Sequence, residues 1–160
     1  METVYLETTF ISYLVALPAR DLIIAAHQQI TRDWREHRRQ HFRCFVSPVV
    51  IDEISFGDES EIKKRLELVR PLDVLAASTD AEELTQAIMD AGVLPEKAVR
   101  DAAHIAVAAV HGVDYLLTWN CRHLANAQIS RRIHIVCDAQ GFRMPLICTP
   151  EELFEEDTDE

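Results

Sequence analysis

The sequence predicts an α/β fold, a three-layer sandwich whose central sheet is mostly parallel and is flanked by helices. Three observations support this prediction. Short apolar stretches alternate with amphipathic helical stretches, no repeat or low-complexity linker interrupts them, and hydrophobic residues make up 48% of the 160 residues. We expect residues 1–150 to form one domain and residues 151–160 to form an acidic tail.

The predicted elements follow from apolar periodicity and from capping and breaking residues. Strands are predicted at residues 3–6, 44–46, 73–76, 115–118 and 146–148. Helices are predicted at residues 10–17, 21–40, 48–56, 58–70, 79–91 and 95–111, and intermittently from 121 to 140. Thr8 or Thr9 is the expected cap of the first helix, which Pro18 ends. Ser47 followed by Pro48 is a typical helix start, and glycines end four of the later helices.

The net charge of the protein restricts the kinds of molecule that it is expected to bind. The net charge of −11 argues against a protein that coats nucleic acid without specificity, but it is compatible with an enzyme that acts on nucleic acid through a bound metal. Residues 32–43 form one basic segment. A solvated helix end and a surface that faces RNA or a partner protein are both open interpretations of that segment.

The cysteine pattern and the hydropathy pattern indicate a cytoplasmic protein. The four cysteines are widely spaced and include no CxxC pair, so we expect free thiols and no structural zinc site. No apolar run approaches the roughly 18–20 residues that span a bilayer. The first residues do not have the pattern of a signal peptide, and we expect no membrane partner.

Four polar residues stand where the predicted fold buries apolar side chains or ends a strand. Glu7 follows the first strand and Asn120 follows the fourth, while Glu53 and Asp101 lie beside or within the apolar stripes of their helices. Each position has an ordinary explanation. In these explanations, Glu7 stabilises the start of a helix and Glu53 lies at the border of the core. Asp101 forms an ion pair with a buried arginine, and Asn120 is a turn residue.

The combination of the four positions favours a metal site. In parallel sheets, ligands bind beyond the carboxyl ends of the strands, where these side chains are expected to meet. Carboxylates that share a small volume hold a proton or a cation, and an all-oxygen set favours Mg²⁺ or Mn²⁺ over zinc. That layout suits metal-assisted phosphodiester hydrolysis. We expect His104, beside the Asp101 stripe, to be a packed or hydrogen-bonded core histidine rather than a ligand.

With these positions identified, the sequence resembles a PIN domain. The matching segments, in order, are Leu6-Glu7-Thr8-Thr9 and residues 47–54, 101–108 and 116–120, so that the resemblance covers residues 4–150. It implies a five-stranded parallel sheet between helices and a homodimer. Many such proteins in bacteria and archaea resemble VapC-like toxins, the RNA-cleaving half of type II toxin–antitoxin pairs, which implies an RNA substrate and an antitoxin partner.

The resemblance also implies the roles of individual residues. The catalytic set is Glu7, Glu53, Asp101 and Asn120, of which the three carboxylates hold the Mg²⁺ or Mn²⁺. Two departures matter, because the family usually has Asp at the position of Glu7 and often has Asp at the position of Asn120. With three carboxylates instead of four, we expect one metal to bind more readily than two.

Four further residues receive roles from the same resemblance. Thr8 and Thr118 are expected to support the ligands from behind, and Arg122 and His123 to contact the phosphates of RNA, with ordinary surface charge as the alternative for this pair. A second hypothesis from a different class is a catalytically weakened module that binds RNA or protein. A nucleotide-binding domain is disfavoured, because the chain has only 4 glycines and no glycine-rich phosphate loop.

Overall fold

The computed structural model describes residues 1–155. Its centre is a parallel sheet of strands β1 (Thr3–Leu6), β2 (Arg43–Val46), β3 (Asp73–Val74), β4 (Tyr115–Leu117) and β5 (Leu146–Cys148). The strand order is β3–β2–β1–β4–β5, and all four neighbouring pairs are parallel. The predicted α/β class and the five strands are therefore confirmed, and the sheet is parallel throughout.

Seven α-helices flank the sheet within the described residues. They are α1 (Thr8–Val15), α2 (Leu22–His37), α3 (Pro48–Ile54), α4 (Glu59–Val69), α5 (Thr79–Asp90), α6 (Val99–Val110) and α7 (Ala127–Ala139). The predicted helix at residues 95–111 is in fact a short 3₁₀ helix, Glu96–Ala98, followed by α6. Ala98, with φ −93° and ψ 21°, separates the two, since its backbone is outside the α-helical region. None of the described helices is long and apolar enough to cross a membrane.

The core lies on both faces of the central strands. β1 has β2 and β4 as neighbours, and Val4, Tyr5, Leu6, Leu116 and Leu117 are almost completely buried. Such continuous burial is expected for a parallel sheet that helices cover on both sides. By contrast, both residues of the edge strand β3 are exposed, which agrees with its length of only two residues.

The predicted cap of the first helix was wrong. The N-cap of α1 is Glu7, whose carboxylate accepts a hydrogen bond from the backbone N–H of Thr9. Thr8 is already the first helical residue, and its hydroxyl donates to Glu53 instead of capping the helix. The ordinary explanation for Glu7, a carboxylate that stabilises the start of a helix, is thus correct for the bond from Thr9.

The start of the predicted acidic tail contacts the domain. The indole N–H of Trp34 donates to the backbone carbonyl of Leu153 at 3.0 Å, and the carboxylate of Glu152 accepts from the backbone N–H of Thr149 at 3.0 Å. Residues 156–160 of that tail lie outside the described residues. The boundary at residue 150 stays a prediction. All four cysteines are free, as expected.

Candidate active site

The candidate site lies where the strand order reverses. The chain passes from β1 through β2 to β3 on one side of the sheet and then continues in β4 and β5 on the other, so that β1 and β4 are neighbours. In open parallel sheets, ligands bind beyond the carboxyl ends of the strands at such a point. Glu7 follows β1 there, and Thr118 and Asn120 follow β4.

The two oxygens of Glu7 have different surroundings. Oε2 accepts hydrogen bonds from the backbone N–H of Thr9 at 3.0 Å, from the Thr9 hydroxyl at 2.5 Å and from the Thr118 hydroxyl at 2.8 Å. Oε1 lies 3.9 Å from Nε2 of His104. Glu7 is only 3% exposed. One oxygen therefore fixes the side chain, and the other faces the neighbouring polar groups.

Helix α3 brings Glu53 to the same place. Its Oε1 accepts from the hydroxyl of Thr8 at 2.8 Å and bonds Nε2 of His104 at 2.5 Å. Burial raises the pKa of Glu53, but the hydrogen bond from His104, the Thr8 hydroxyl and the charge of Arg100 together lower it below its ordinary value. Glu53 is consequently a carboxylate at neutral pH.

His104 is fully buried and uses both ring nitrogens. Nε2 bonds Glu53, and Nδ1 lies 2.6 Å from the hydroxyl of Tyr5. That hydroxyl lies 2.7 Å from Oγ of Ser47, the N-cap of α3. His104 is thus a hydrogen-bonded core histidine, as the sequence predicted, but its bonding partners tie it directly to the candidate site.

Glu7, Glu53 and His104 form a group with the composition of a metal site. One ligand atom from each residue lies within 4.8 Å of the other two. Two carboxylates at that separation repel by about 3.5 kcal/mol at an effective dielectric constant near 20, so a cation between them is favourable. Carboxylate oxygens suit Mg²⁺ and Mn²⁺, whereas an imidazole nitrogen suits transition metals. The donor set therefore fits a divalent cation.

Asp101 belongs to a second group. Its Oδ1 accepts from the side-chain amide of Asn120 at 3.3 Å, and its Oδ2 bonds Nδ1 of His123 at 3.0 Å. The side chain is 17% exposed. Within residues 1–155, the side chain that pairs with Oδ2 of Asp101 is this histidine and not the buried arginine of the ordinary explanation. The structure thus brings together the predicted residues Asp101, Asn120 and His123.

The two groups share a helix and a hydroxyl. Asp101 and His104 are three residues apart in α6, so they occupy neighbouring positions on one face of the helix. Thr118 donates to Glu7 and accepts from the backbone N–H of Asn120 at 2.9 Å. The four residues of the predicted catalytic set therefore lie in one connected network. The metal-ligand set of Glu7, Glu53 and Asp101 stays a prediction.

The remaining predicted residues lie at the edge of this network. Arg122 is exposed. Thr8 donates to Glu53 and Thr118 donates to Glu7, two of the three predicted ligands, and their supporting role stays a prediction. Arg100, which lies 2.9 Å from Asp52, is the arginine that helps to lower the pKa of Glu53.

Sequence reasoning missed three members of the network. Thr9 binds Glu7, while Tyr5 and Ser47 lie behind His104. The i, i+3 spacing of Asp101 and His104 was a usable signal, since two polar side chains on one apolar helix face point to a shared site. No comparable signal marked Tyr5, because a tyrosine inside an apolar strand is common.

Comparisons with known proteins support the fold. No protein-family model matches the sequence, and no curated protein matches it. A solved structure that matches is VapBC2 from Rickettsia felis bound to a DNA fragment from its promoter. The match has a TM-score of 0.60 and 13% sequence identity, and it covers 92% of this chain and 98% of that chain. At this identity the likeness shows the fold alone, and with the strand order it confirms the predicted PIN-like three-layer sandwich.

Proposed function

We propose that this chain is a Mg²⁺- or Mn²⁺-dependent endoribonuclease and the toxin component of a toxin–antitoxin pair. The observation that carries the proposal is the pair of carboxylates, Glu7 and Glu53, within 4.8 Å of each other at the carboxyl end of the central strand. Two negative charges at that separation repel each other, and a cation bound between them is favourable. The resemblance to PIN domains and the likeness to VapBC2 in fold support the choice of nuclease chemistry.

The proposed metal ligands are Glu7 and Glu53, with Asp101 as the predicted third carboxylate. Held by these residues, a divalent cation would supply polarisation of the scissile phosphate and a lower pKa of an attacking water. The chain itself positions the ligands, because Thr118 holds one oxygen of Glu7 and Thr8 holds one oxygen of Glu53. This arrangement leaves the second oxygen of each carboxylate for the ion.

Asn120 and its neighbours are the proposed substrate side of the site. The amide of Asn120 is hydrogen-bonded to Asp101, so that the two side chains are oriented together toward water or substrate. Arg122 is exposed beside them, and Arg122 and His123 are the proposed contacts to RNA phosphates. The proposed metal-dependent hydrolysis uses both functions, a bound cation and an oriented RNA strand.

The proposed partners follow from the same resemblance. VapBC2 is a complex bound to DNA, and an antitoxin is correspondingly proposed for this chain. An arginine-bearing segment of such an antitoxin complements the acidic cleft and would block it. A homodimer and a cytoplasmic location are proposed on family grounds.

One set of observations favours the second candidate function, a binding module without catalysis. The net charge is −11, Asn120 is neutral, and Asp101 is bonded to His123. A module of this kind is distinguished from the nuclease by its metal affinity. It binds millimolar Mn²⁺ weakly or not at all, and Asp101 makes no difference to that binding.

The test of the proposed function is cleavage of a mixed structured RNA by wild type and by Asp101→Asn, with Mn²⁺, Mg²⁺ or EDTA. Asp114→Asn is the matched control, because it makes the same chemical change beside Thr3 and Arg143, at the amino ends of the strands. We expect wild type and the control to cleave, EDTA to stop both, and Asp101→Asn to be inactive. Equal cleavage by all three proteins would contradict the assignment.

A further inference from the structure

We propose that His104, supported by Tyr5 and Ser47, is a positioning residue that presets Glu53 for a metal ion. It holds Oε1 of Glu53 and leaves Oε2 as the oxygen that the ion takes. This inference rests on the proposed metal-dependent function, and it adds to that function a buried device that fixes one ligand before any ion arrives.

The hydrogen bonds from Ser47 to Glu53 run in one direction. The carboxylate of Glu53 only accepts, so the direction is fixed at that end of the path. Oγ of Ser47, which accepts from the backbone N–H of Val49 at 3.2 Å, is then the donor to the hydroxyl of Tyr5 at 2.7 Å. The proton of Tyr5 then points to Nδ1 of His104 at 2.6 Å. His104 is left with its proton on Nε2, which donates to Oε1 of Glu53. Along this path each of the three side chains accepts one hydrogen bond and donates one.

Burial makes this direction hard to reverse. Tyr5, Ser47 and His104 are fully buried, so a lost hydrogen bond is not replaced by bulk water. The imidazole is held in one orientation and one tautomer.

Glu7 and Glu53 are each held through one carboxylate oxygen. Oε2 of Glu7 is fixed by Thr9 and Thr118, and Oε1 of Glu53 is fixed by Thr8 and His104. Each carboxylate thus has one oxygen bound by the protein and one that is not. A metal ion that takes the second oxygens does not have to break a buried hydrogen bond. Ligation by Nε2 of His104, in contrast, requires the loss of its proton and of its bond to Glu53.

Two substitutions at one position separate positioning from general damage. The side-chain amide of His104→Gln reaches the place of Nε2 and keeps a donor to Glu53, but it loses the contact with Tyr5. The shorter side chain of His104→Asn keeps a polar group near Nδ1 and loses the donor to Glu53. Both variants are uncharged, but His104→Asn leaves the larger cavity in the core, so its stability in EDTA is compared with its Mn²⁺ affinity to separate lost packing from the lost donor.

The measurement is Mn²⁺ affinity of the RNA-free protein by titration calorimetry, with thermal melts in EDTA to compare stability. A hydrogen bond to a charged group contributes about 1.5–3 kcal/mol, or roughly ten-fold or more in affinity. We expect His104→Asn to bind Mn²⁺ at least about ten-fold more weakly than wild type. His104→Gln is expected to stay within about three-fold of wild type.

Two results would overturn the inference and leave the proposed function standing. One is equal Mn²⁺ affinity for wild type, His104→Gln and His104→Asn. The other is an electron spin-echo signal from an imidazole nitrogen directly bound to Mn²⁺ in wild type, which would make His104 a ligand. Wild type that binds no Mn²⁺ would overturn the proposed function together with this inference.

Tyr5→Phe tests the same device if the His104 variants do not fold. It removes the proton that Nδ1 of His104 receives and changes no atom of the carboxylates. We expect Mn²⁺ affinity to fall by about three-fold or more, because the imidazole is then free to change tautomer. Wild-type affinity in a folded Tyr5→Phe protein would contradict the role given to Tyr5.

Discussion

Replacement of Glu7 by glutamine tests whether the site is built around repelling carboxylates. Glu7→Gln removes one negative charge and keeps an acceptor for Thr9 and Thr118. Asp114→Asn is a matched comparison, because Asp114 also accepts three hydrogen bonds, two from Thr3 and one from Arg143, at 2.9, 3.0 and 3.1 Å. The two positions differ in two ways: the side chain of Glu7 is 4% exposed and that of Asp114 is 31% exposed, and a second carboxylate, Glu53, lies beside Glu7.

Two opposing effects determine the stability of Glu7→Gln. Loss of the charge relieves a repulsion of about 3.5 kcal/mol, from a separation within 4.8 Å and an effective dielectric constant near 20. It also weakens three charge-assisted hydrogen bonds by about 1 kcal/mol each. The free energy of unfolding in EDTA is therefore expected to change by less than about 1 kcal/mol.

Asp114→Asn has no repulsion to relieve. The same three bonds weaken, and since the side chain is 31% exposed, we expect a loss of about 2 kcal/mol in the free energy of unfolding. For a chain of this length, that loss lowers the melting temperature by about 4–8 °C. In EDTA, Asp114→Asn should therefore melt well below both wild type and Glu7→Gln.

The assay is thermal melting of the three proteins in EDTA and in saturating Mn²⁺. At an ion concentration of about 100 times Kd, wild type gains about 2.7 kcal/mol, or roughly 5–10 °C. We expect Asp114→Asn to keep this gain and Glu7→Gln to lose it. An equal drop in melting temperature for both variants in EDTA would refute the repulsion argument, because Glu7 would then be a purely structural carboxylate.

Three further predictions use other parts of the network. Asp101→Asn is expected to abolish metal-dependent RNA cleavage, measured as product formed in Mn²⁺ minus that in EDTA. Tyr5→Phe should lower the free energy of unfolding by about 2–3 kcal/mol in urea denaturation, because it leaves Ser47 and His104 with unpaired buried atoms; a loss below about 0.5 kcal/mol would contradict this. The backbone N–H of Thr3, its hydroxyl and Arg143 lower the pKa of Asp114 against the opposing effect of burial, so the unfolded state binds more protons at low pH. The stability difference between wild type and Asp114→Asn should accordingly shrink as pH falls below about 4, and a constant difference would be inconsistent with that shift.

Much of the fold is encoded locally and was predicted. Apolar runs such as that around Tyr5 mark buried strands, and a Ser47–Pro48 start marks α3. The order of the strands was not available from these signals, because it depends on which helices pack on which side of β1. The break at Ala98 between the 3₁₀ helix and α6 was also missed, since its local sequence has full helical periodicity.

The site was predictable as a list of residues but not as a set of contacts. The sequence places Glu7, Glu53 and Asp101 at one end of the sheet, because the carboxyl ends of parallel strands share an edge. It does not determine which atoms meet, since the side chains come from different elements and their contacts depend on rotamers. The structure joins Asp101 to His123 and joins Glu53 to His104, partners that no spacing rule supplied.

No local signal in the sequence shows that His104 is both a buried core residue and a partner of the candidate site. A lone histidine on an apolar helix face is usually a buried, hydrogen-bonded residue, and His104 is one. Its importance lies in the other end of its hydrogen bond, which is a carboxylate of the candidate site. A buried side chain and a functional side chain are therefore not alternatives at this position, because the burial is what fixes the direction of the bond.

Glu7 can be understood in the same way. Its two explanations, a cap for α1 and a ligand for a cation, use different oxygens of one carboxylate. Oε2 satisfies the backbone N–H of Thr9, and Oε1 faces His104. The start of α1 thus holds a proposed ligand of the cation, so that the stability of α1 and the geometry of the candidate site depend on one group. A carboxylate interrupts the apolar run of β1 and α1 because the end of the central strand is where both requirements meet.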